Sequence, residues 1–385
     1  MADIDTHQKF TFHILGVPHT ATSPEYVACA YTQKIAKFAK MMGERGHRIV
    51  HYGNELSVIS NGENIPVTTA QDLEIAYGHH DWRKNGFIFS MDDHAYTTFY
   101  ANAKREIAKH SKPGEFLLAF WGAGHRPVCD EFPELIVVEP GIGYAEGHFA
   151  RWKVYESYSL RSAVNGTDSV KFAQEDWYQA VIPNYFDPND FEFSAEKEDY
   201  FLFLGRITRA KGLDLAIQVA KKINAKIVVA GQGNLEDAGI DSSYEGIDFI
   251  GHADIETRKR LMSRAKGFFL PSMFNEPFGG AAVEALFSGT PIITTDWGVF
   301  PETNLHGKTG FRCRTFEQFC WAAENIATIS PYDCAKWANT NYSLTKASEM
   351  YEEYFKMVWN VHNAEGWYQA YPERKNLDWL SKANL

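Results

Sequence analysis

Residues 200–231 read YFLFLGRITRAKGLDLAIQVAKKINAKIVVAG, and the change of period inside them decides the fold. The opening YFLFLG (200–205) is a short apolar run stopped by glycine, as a buried strand is. From Gly212 the pattern changes. Leu213, Ala216, Ile217 and Ala220 stand at i, i+3, i+4 and i+7, one face of a helix that lies on a sheet. AKIVVAG (225–231) is then a second apolar run. Strand, helix and strand joined by short links make a parallel pair with a crossover.

The alternation continues outward in both directions. Downstream it predicts strands at 247–251, 267–272 and 291–296, with helices at 255–265 and from about Gly280. The helices from about Pro331 to His362 read as closing elements. Upstream it predicts strands at 10–18, 48–53, 115–122, 134–141 and 179–184, and helices through Tyr31, Ile35, Phe38 and Met42 and from Ala95 to His110. Between the two series, VIPNYFDPNDFEFSAEKEDY (181–200) turns polar, with two prolines and a charge cluster. The expected fold class is therefore α/β, with two Rossmann-like doubly wound parallel-sheet domains facing each other across a cleft. The first covers residues 1–185 and the second 186–364, and the aromatic tail 365–385 is expected to pack back on the first. Ligands of such sheets bind outside the carboxyl ends of the strands.

Bulk properties narrow the function. The 385 residues exceed a single core, and 45% hydrophobic with 23% charged residues is a globular balance. The formal charge of -11 repels nucleic acid and anionic membrane, so an anionic ligand must be met by cations placed locally. Cys29, Cys129, Cys313, Cys320 and Cys334 are scattered, with neither C-x-x-C pairs nor zinc spacing, and read as reduced thiols of a cytoplasmic protein. No apolar run approaches the roughly 18 residues of a membrane span.

The chemistry gathers in FNEPFGGAAVEALFSGTP (274–291). Glu276 lies in the loop before a helix opened by Gly279 and Gly280, and Glu284 lies one turn inside it. The first N–H groups of a helix have no internal partner, and a glycine start lets a phosphate approach them. The bland alternative is an acid favourable to the helix dipole and glycines that permit tight packing. Upstream, Arg206 and Lys211 flank the loop after Gly205. Both could be solvated surface cations, yet two cations facing a helix start make a diphosphate site without metal.

The ordered set G-R-x4-K-G, E-x7-E, G-x-P-[IV], G-x-x-x-E and G-x-T-G-F, spread over GRITRAKG (205–212) and NEPFGGAAVEALFSGTPIITTDWGVFPETNLHGKTGF (275–311), resembles the donor half of retaining two-domain glycosyltransferases of family 4. VIPNYFD (181–187) resembles the interdomain segment of that family, with Tyr185 where glycine is usual, and GERGHRIVHYG (43–53) resembles an early strand. The resemblance implies a GT-B fold and a nucleotide-sugar co-substrate, UDP-linked by preference, with no other cofactor and no metal. It implies that Arg206 and Lys211 hold the diphosphate together with the backbone of Phe278, Gly279, Gly280 and Ala281. Glu276 would bind sugar hydroxyls and Glu284 the ribose. The loops carrying Gly205, Gly231, Gly233, Gly251 and His252 would frame the base.

One departure concerns the first lobe, where the family commonly places a histidine near the sugar. The matching strand, LIVVEPGIGYAEGH (135–148), offers Glu139 there, with His148 farther along and His125 as an alternative that also fits an ordinary loop histidine. Gly16, His19 and Thr20 in GVPHTATSPEY (16–26) occupy the position of the acceptor–donor loop. MDDH (91–94) and GHHDW (78–82) read as helix starts rather than metal ligands, and Arg258, Lys259, Arg260 and Arg264 as a solvated helix face.

These readings predict sugar transfer from a nucleotide-sugar to an acceptor hydroxyl on a glycan, lipid or small metabolite. Alternatives are glycosylation of a hydroxymethylated DNA base, a phosphorylase or synthase running on sugar phosphate, and a non-catalytic nucleotide-sugar binder. A basic stripe from Lys104, Arg105, Arg126, Arg151, Lys153 and Arg161 would favour the nucleic-acid acceptor.

Overall fold

The computed structural model describes residues 8–26, 28–167 and 179–363. Two all-parallel sheets organise them. The first has seven strands: β1 (Thr11–Leu15), β2 (Arg48–Asn54), β3 (Glu63–Thr68), β4 (Phe116–Leu118), β5 (Ile136–Ile142), β6 (Trp152–Tyr155) and β7 (Gln179–Val181), in the spatial order β3-β2-β1-β4-β5-β6-β7. The second has six: β8 (Glu198–Leu204), β9 (Ile227–Ala230), β10 (Ile247–Gly251), β11 (Ala265–Leu270), β12 (Ile292–Thr295) and β13 (Gly310–Cys313), ordered β10-β9-β8-β11-β12-β13. The doubly wound parallel architecture expected from the sequence is therefore present in both halves. β3, whose Glu63–Thr68 text is short and largely polar, and the four-residue strands β6 and β13 were not anticipated.

Each order reverses once, between β1 and β4 in the first sheet and between β8 and β11 in the second. Successive crossovers leave the strands in opposite directions there, so a crevice opens above the carboxyl ends. The loops after β1, β4, β8 and β11 line those two crevices.

Helix faces match their periodicity. In Leu213–Lys222 the predicted stripe Leu213, Ala216, Ile217 and Ala220 is buried, and in Ala30–Glu44 so are Ile35, Phe38 and Met42. Aromatic residues fill the core of the first lobe, where Phe12, Phe38 and Phe116 converge on Phe355. Phe355 belongs to the last described helix, Leu344–His362, which also reaches this lobe through Arg45–Glu352 and through Tyr354 Oη, which donates to the Lys153 carbonyl at 3.4 Å. The return to the first lobe thus begins at Ser343, inside the span that the sequence assigns to the second. The physical reason is the buried stripe of Tyr351, Phe355 and Val358, which finds its complement on Ala30–Glu44. The tail 365–385 lies outside the described residues.

The chain crosses between lobes at Phe186 and again at Ser343, and the two crossings run side by side. Phe186 N–H donates to the Tyr342 carbonyl at 2.8 Å and Leu344 N–H to the Phe186 carbonyl at 2.9 Å.

Candidate active site

The second-lobe site follows from its switch point. After β8, the chain passes Gly205 and Arg206 and makes a 3-10 turn, Arg209–Lys211, into the helix Leu213–Lys222. Gly212 links them at φ 73°, where a Cβ would stand 2.0 Å from the Pro271 carbonyl oxygen, so only glycine lets this loop touch the one after β11. That second loop carries Glu276. Lys211 Nζ donates to both of its carboxylate oxygens, at 2.8 and 3.0 Å, and Ser272 Oγ donates to Oε2 at 2.8 Å. Glu276 is 6% exposed, so its charge is matched rather than solvated.

Gly279, at φ 73°, precedes the helix Gly280–Phe287, whose first N–H groups have no side-chain cap, while the buried Phe278 ring stacks on Phe186. Arg206 is exposed and has no partner among the described residues. The loops named from the sequence are stitched to one another: Gly205 N–H bonds the Ala230 carbonyl at 3.0 Å, Ile207 N–H that of Gln232 at 2.9 Å, and Gly231 N–H that of Gly251 at 2.8 Å. His252 lies exposed beside the last of these. One lysine, one open arginine, a buried carboxylate and a helix start therefore lie on the two loops of the β8/β11 switch point.

Glu284 is half-buried one turn inside its helix, and Arg258 Nη2 donates to its Oε2 at 2.7 Å. This corrects the sequence reading of Arg258 as a solvated cation, because its place in the first turn of Ile255–Arg264 aims it at the neighbouring helix. Lys259 and Arg264, by contrast, pair with the exposed acids Glu256 and Glu196.

The first-lobe candidates are differently engaged. His125 is buried. Its Nδ1 accepts from Trp121 N–H at 3.2 Å, so Nε2 carries the proton donated to the Gly16 carbonyl at 2.9 Å. Burial pushes its pKa down to about 3, so the ring is neutral. Glu139 is fully buried and accepts from the N–H groups of Phe149 and Ala150, at 3.0 and 2.9 Å, and from Tyr144 Oη at 3.2 Å. Burial raises its pKa even so. His148 holds the Tyr144 carbonyl at 2.9 Å in the same loop. Thr20 Oγ1 meets Thr32 Oγ1 at 2.7 Å, and His19 Nδ1 meets Tyr96 Oη at 2.9 Å. These side chains are occupied in shaping first-lobe loops, those after β1 and β4 for His19, Thr20 and His125 and that after β5 for Glu139 and His148.

Three features escaped the sequence reading. Glu302, from G-x-x-x-E, accepts the N–H groups of Tyr158 and Ser159 at 2.9 and 2.7 Å, so a second-lobe carboxylate caps the first-lobe helix Tyr158–Gly166. Beside it Ser157 Oγ donates to the Pro277 carbonyl at 2.6 Å, next to Glu276. A buried Lys34–Glu156 pair lies in the first-lobe wall, and Glu276 is close enough to help raise the Glu156 pKa, although burial is the main cause. The motif position of Glu302 was a signal. Nothing in the local text marked the other two.

The other clusters behave as ordinary structure. Asp93 caps the helix His94–His110 and accepts from Tyr77 Oη, and Asp81 caps Trp82–Asn85. Lys104, Arg105 and Arg126 pair with Glu131, Glu106 and Asp130, which neutralises half of the supposed basic stripe. Among the described residues no group of three or more His, Cys, Asp or Glu gathers as for a metal ion, and no helix is long and apolar enough to cross a membrane.

This architecture and site define a two-lobed α/β protein of the GT-B type. Residues 187–329, nearly all of the second lobe, match the family model of the Glycosyl transferases group 1. An uncharacterized glycosyltransferase of Methanocaldococcus jannaschii is 29% identical over 171 residues, 41% of this chain and 42% of its own length. A glycogen synthase of Mycobacterium tuberculosis is 30% identical over 179 residues, 42% of this chain and 43% of its own. These matches span less than half the length of each relative. Whole-chain likeness comes from solved structures. AviGT4, a glycosyltransferase of avilamycin A biosynthesis, superposes with a TM-score of 0.65 at 16% identity, covering 91% of this chain and 98% of its own. HepE of Anabaena, in complex with UDP-glucose, gives 0.62 at 13%, covering 90% and 99%. At such identities the likeness shows the fold.

Proposed function

We propose that this chain is a retaining glycosyltransferase that moves a sugar from a nucleotide-sugar, UDP-linked by preference, to a neutral acceptor hydroxyl without a metal. The observation that carries the reading is Lys211, held by buried Glu276 where the loops after β8 and β11 meet, with the exposed Arg206 on the same loop and without a partner among the described residues. Cleavage of a glycosyl phosphate leaves negative charge on the diphosphate as the anomeric carbon becomes cationic. Two cations and preorganised N–H groups stabilise that charge. Glu276 receives sugar hydroxyls and Glu284 the ribose hydroxyls, with Arg258 orienting the latter carboxylate. The relatives named above support donor transfer, and HepE was solved with UDP-glucose. The scattered cysteines fit a reducing, cytoplasmic setting.

A thermal-shift panel of UDP-, GDP-, ADP- and dTDP-sugars tests the donor half, since a ligand that binds only the native state raises apparent stability. Protection by UDP-sugars above the others is expected. No protection by any donor removes the proposal.

A second reading is favoured by one observation. His125 and Glu139, the two first-lobe groups the sequence offers beside the sugar, are both consumed by loop hydrogen bonds, so neither is free to act as acid or base. A non-catalytic binder would then retain donor without turnover, so slow donor hydrolysis by purified protein decides against it.

A further inference from the structure

We infer that the exposed ring of Phe89, stacked on His19 at the β1/β4 crevice, is the acceptor platform and that the acceptor presents the C–H face of a pyranose ring. The inference rests on the glycosyltransferase reading above and names its acceptor class.

The platform is built at the first-lobe switch point. The His19 and Phe89 rings lie 4.7 Å apart and 9° from parallel, with Trp121 edge-on to Phe89 at 5.3 Å and Tyr96 behind at 5.9 Å. His19 comes from the loop after β1 and Trp121 from the loop after β4. His19 and Tyr96 are buried, yet Phe89 is 44% exposed.

Three polar atoms beneath it, Trp121 Nε1, Tyr96 Oη and His19 Nδ1, are spent on one another. Trp121 Nε1–H donates to Tyr96 Oη at 2.7 Å, so the Tyr96 hydroxyl proton is free to reach His19 Nδ1 at 2.9 Å. What remains for a ligand is the His19 Nε2–H of this tautomer, which has no partner among the described residues, and a ring face carrying the negative lobe of the aromatic quadrupole. The complement of that face is an array of weakly positive C–H groups. One face of a pyranose offers that array, while its hydroxyls stay at the edge for transfer.

The supporting segment is held rigidly. Tyr77 Oη donates to Asp93 at 2.6 Å, His80 Nε2 meets the Gly86 carbonyl at 2.7 Å, and the rings of Trp82, Tyr26 and Phe87 pack on one another, Trp82 lying 5.2 and 4.9 Å from the other two. Across the cleft, Gln232 Nε2 donates to the carbonyls of Trp82 and Arg83, at 3.3 and 3.2 Å. Gln232 sits in the loop proposed to frame the donor base, so one segment touches both substrates. Residues 78–94 carry three acids against two bases, a nearly neutral surface suited to a neutral ring. A nucleobase also stacks, but the cations Lys104, Arg105 and Arg126 that a phosphate backbone would need are already paired.

The test uses the full chain with the UDP-sugar that protects it best. Acceptor probes are methyl α-D-glucopyranoside, methyl α-D-mannopyranoside and methyl β-D-galactopyranoside, with 5-hydroxymethyl-2′-deoxycytidine as the base arm. At least one glycoside is expected to accept sugar. Phe89→Ala and Phe89→Leu should each raise its KM roughly tenfold with a smaller change in kcat, and Phe89→Trp should restore it. The leucine variant keeps apolar bulk but removes the ring face, so it separates stacking from packing. UDP should protect all three variants as it does the parent. An unchanged KM in Phe89→Ala, full activity in Phe89→Leu, or transfer to the nucleoside alone overturns the inference. Absence of UDP protection in the parent protein instead overturns the donor-site reading on which it rests.

Discussion

Removing Lys211 tests the donor site and its energetics together. The ammonium stands 2.8–3.0 Å from both oxygens of Glu276, and the two side chains are 17% and 8% exposed. At 3 Å and an effective dielectric of about 20, the attraction is on the order of 5 kcal/mol before desolvation. Lys211→Ala leaves a buried carboxylate with only the Ser272 hydroxyl, a change worth about 3–5 kcal/mol in a closed interior. Water entering from the cleft side lowers this to about 2–3 kcal/mol. Glu276→Gln keeps the shape and leaves the lysine near solvent, so about 1–2 kcal/mol is expected. The double variant should be less destabilised than the sum, with a coupling energy of at least about 1.5 kcal/mol in urea denaturation. UDP separates the roles further. Lys211→Ala should lose most UDP protection, whereas Glu276→Gln should keep it and lose the additional protection that the sugar moiety gives. Equal UDP protection of Lys211→Ala and the parent would refute the diphosphate assignment, and a coupling near zero would refute the buried ion pair.

Three further outcomes are expected. Gly212→Ala forces a Cβ to 2.0 Å from the Pro271 carbonyl at a left-handed φ, and should cost roughly 2–4 kcal/mol in chemical denaturation or prevent folding. Burial holds the pKa of His19, His47 and His51 near 4 and that of His125 near 3, against an ordinary 6.5. Because the folded values lie below the unfolded one, the stability from these first-lobe histidines is complete above about pH 6.5 and declines as pH falls toward 4. Each contributes up to the order of 3 kcal/mol, and hydrogen exchange at pH 7.5 and pH 5 should show the first lobe loosening before the second. Glu302→Gln removes a carboxylate from the helix start at Tyr158 and Ser159. A loss of about 1–2 kcal/mol is expected, with a larger radius of gyration in solution scattering as the lobes part, and an unchanged radius would deny the contact its linking role.

Most of the second lobe was legible because it is built from short, local rules. The apolar runs at 200–205 and 225–231, the helical stripe from Leu213 and the glycines at 279 and 280 each act within one turn or one strand, so their text carries their geometry. The sequence assigns Lys211 and Glu276 to separate parts of a ligand, and their ion pair emerges only from the switch point that brings the two loops together. The first lobe read poorly for the opposite reason. His125, Glu139 and His19 look reactive in isolation, but their hydrogen bonds go to Gly16, Phe149 and Tyr96, partners that only the tertiary fold supplies. Arg258 was misjudged because three neighbouring basic residues look alike, and only the helix packed alongside distinguishes the one that meets Glu284. The helix Leu344–His362 follows the second lobe in sequence, yet its buried stripe matches a surface more than three hundred residues earlier.

The paired passage at Phe186 and Ser343 has a mechanical consequence. A single thread between two bodies permits swinging and twisting alike, whereas two threads zipped together behave as a strip that bends across its width and resists torsion. Opening should therefore follow one arc, returning the Gly279–Gly280 edge to the same facing position each time. A nick in either thread would leave the bodies attached but free to turn out of alignment.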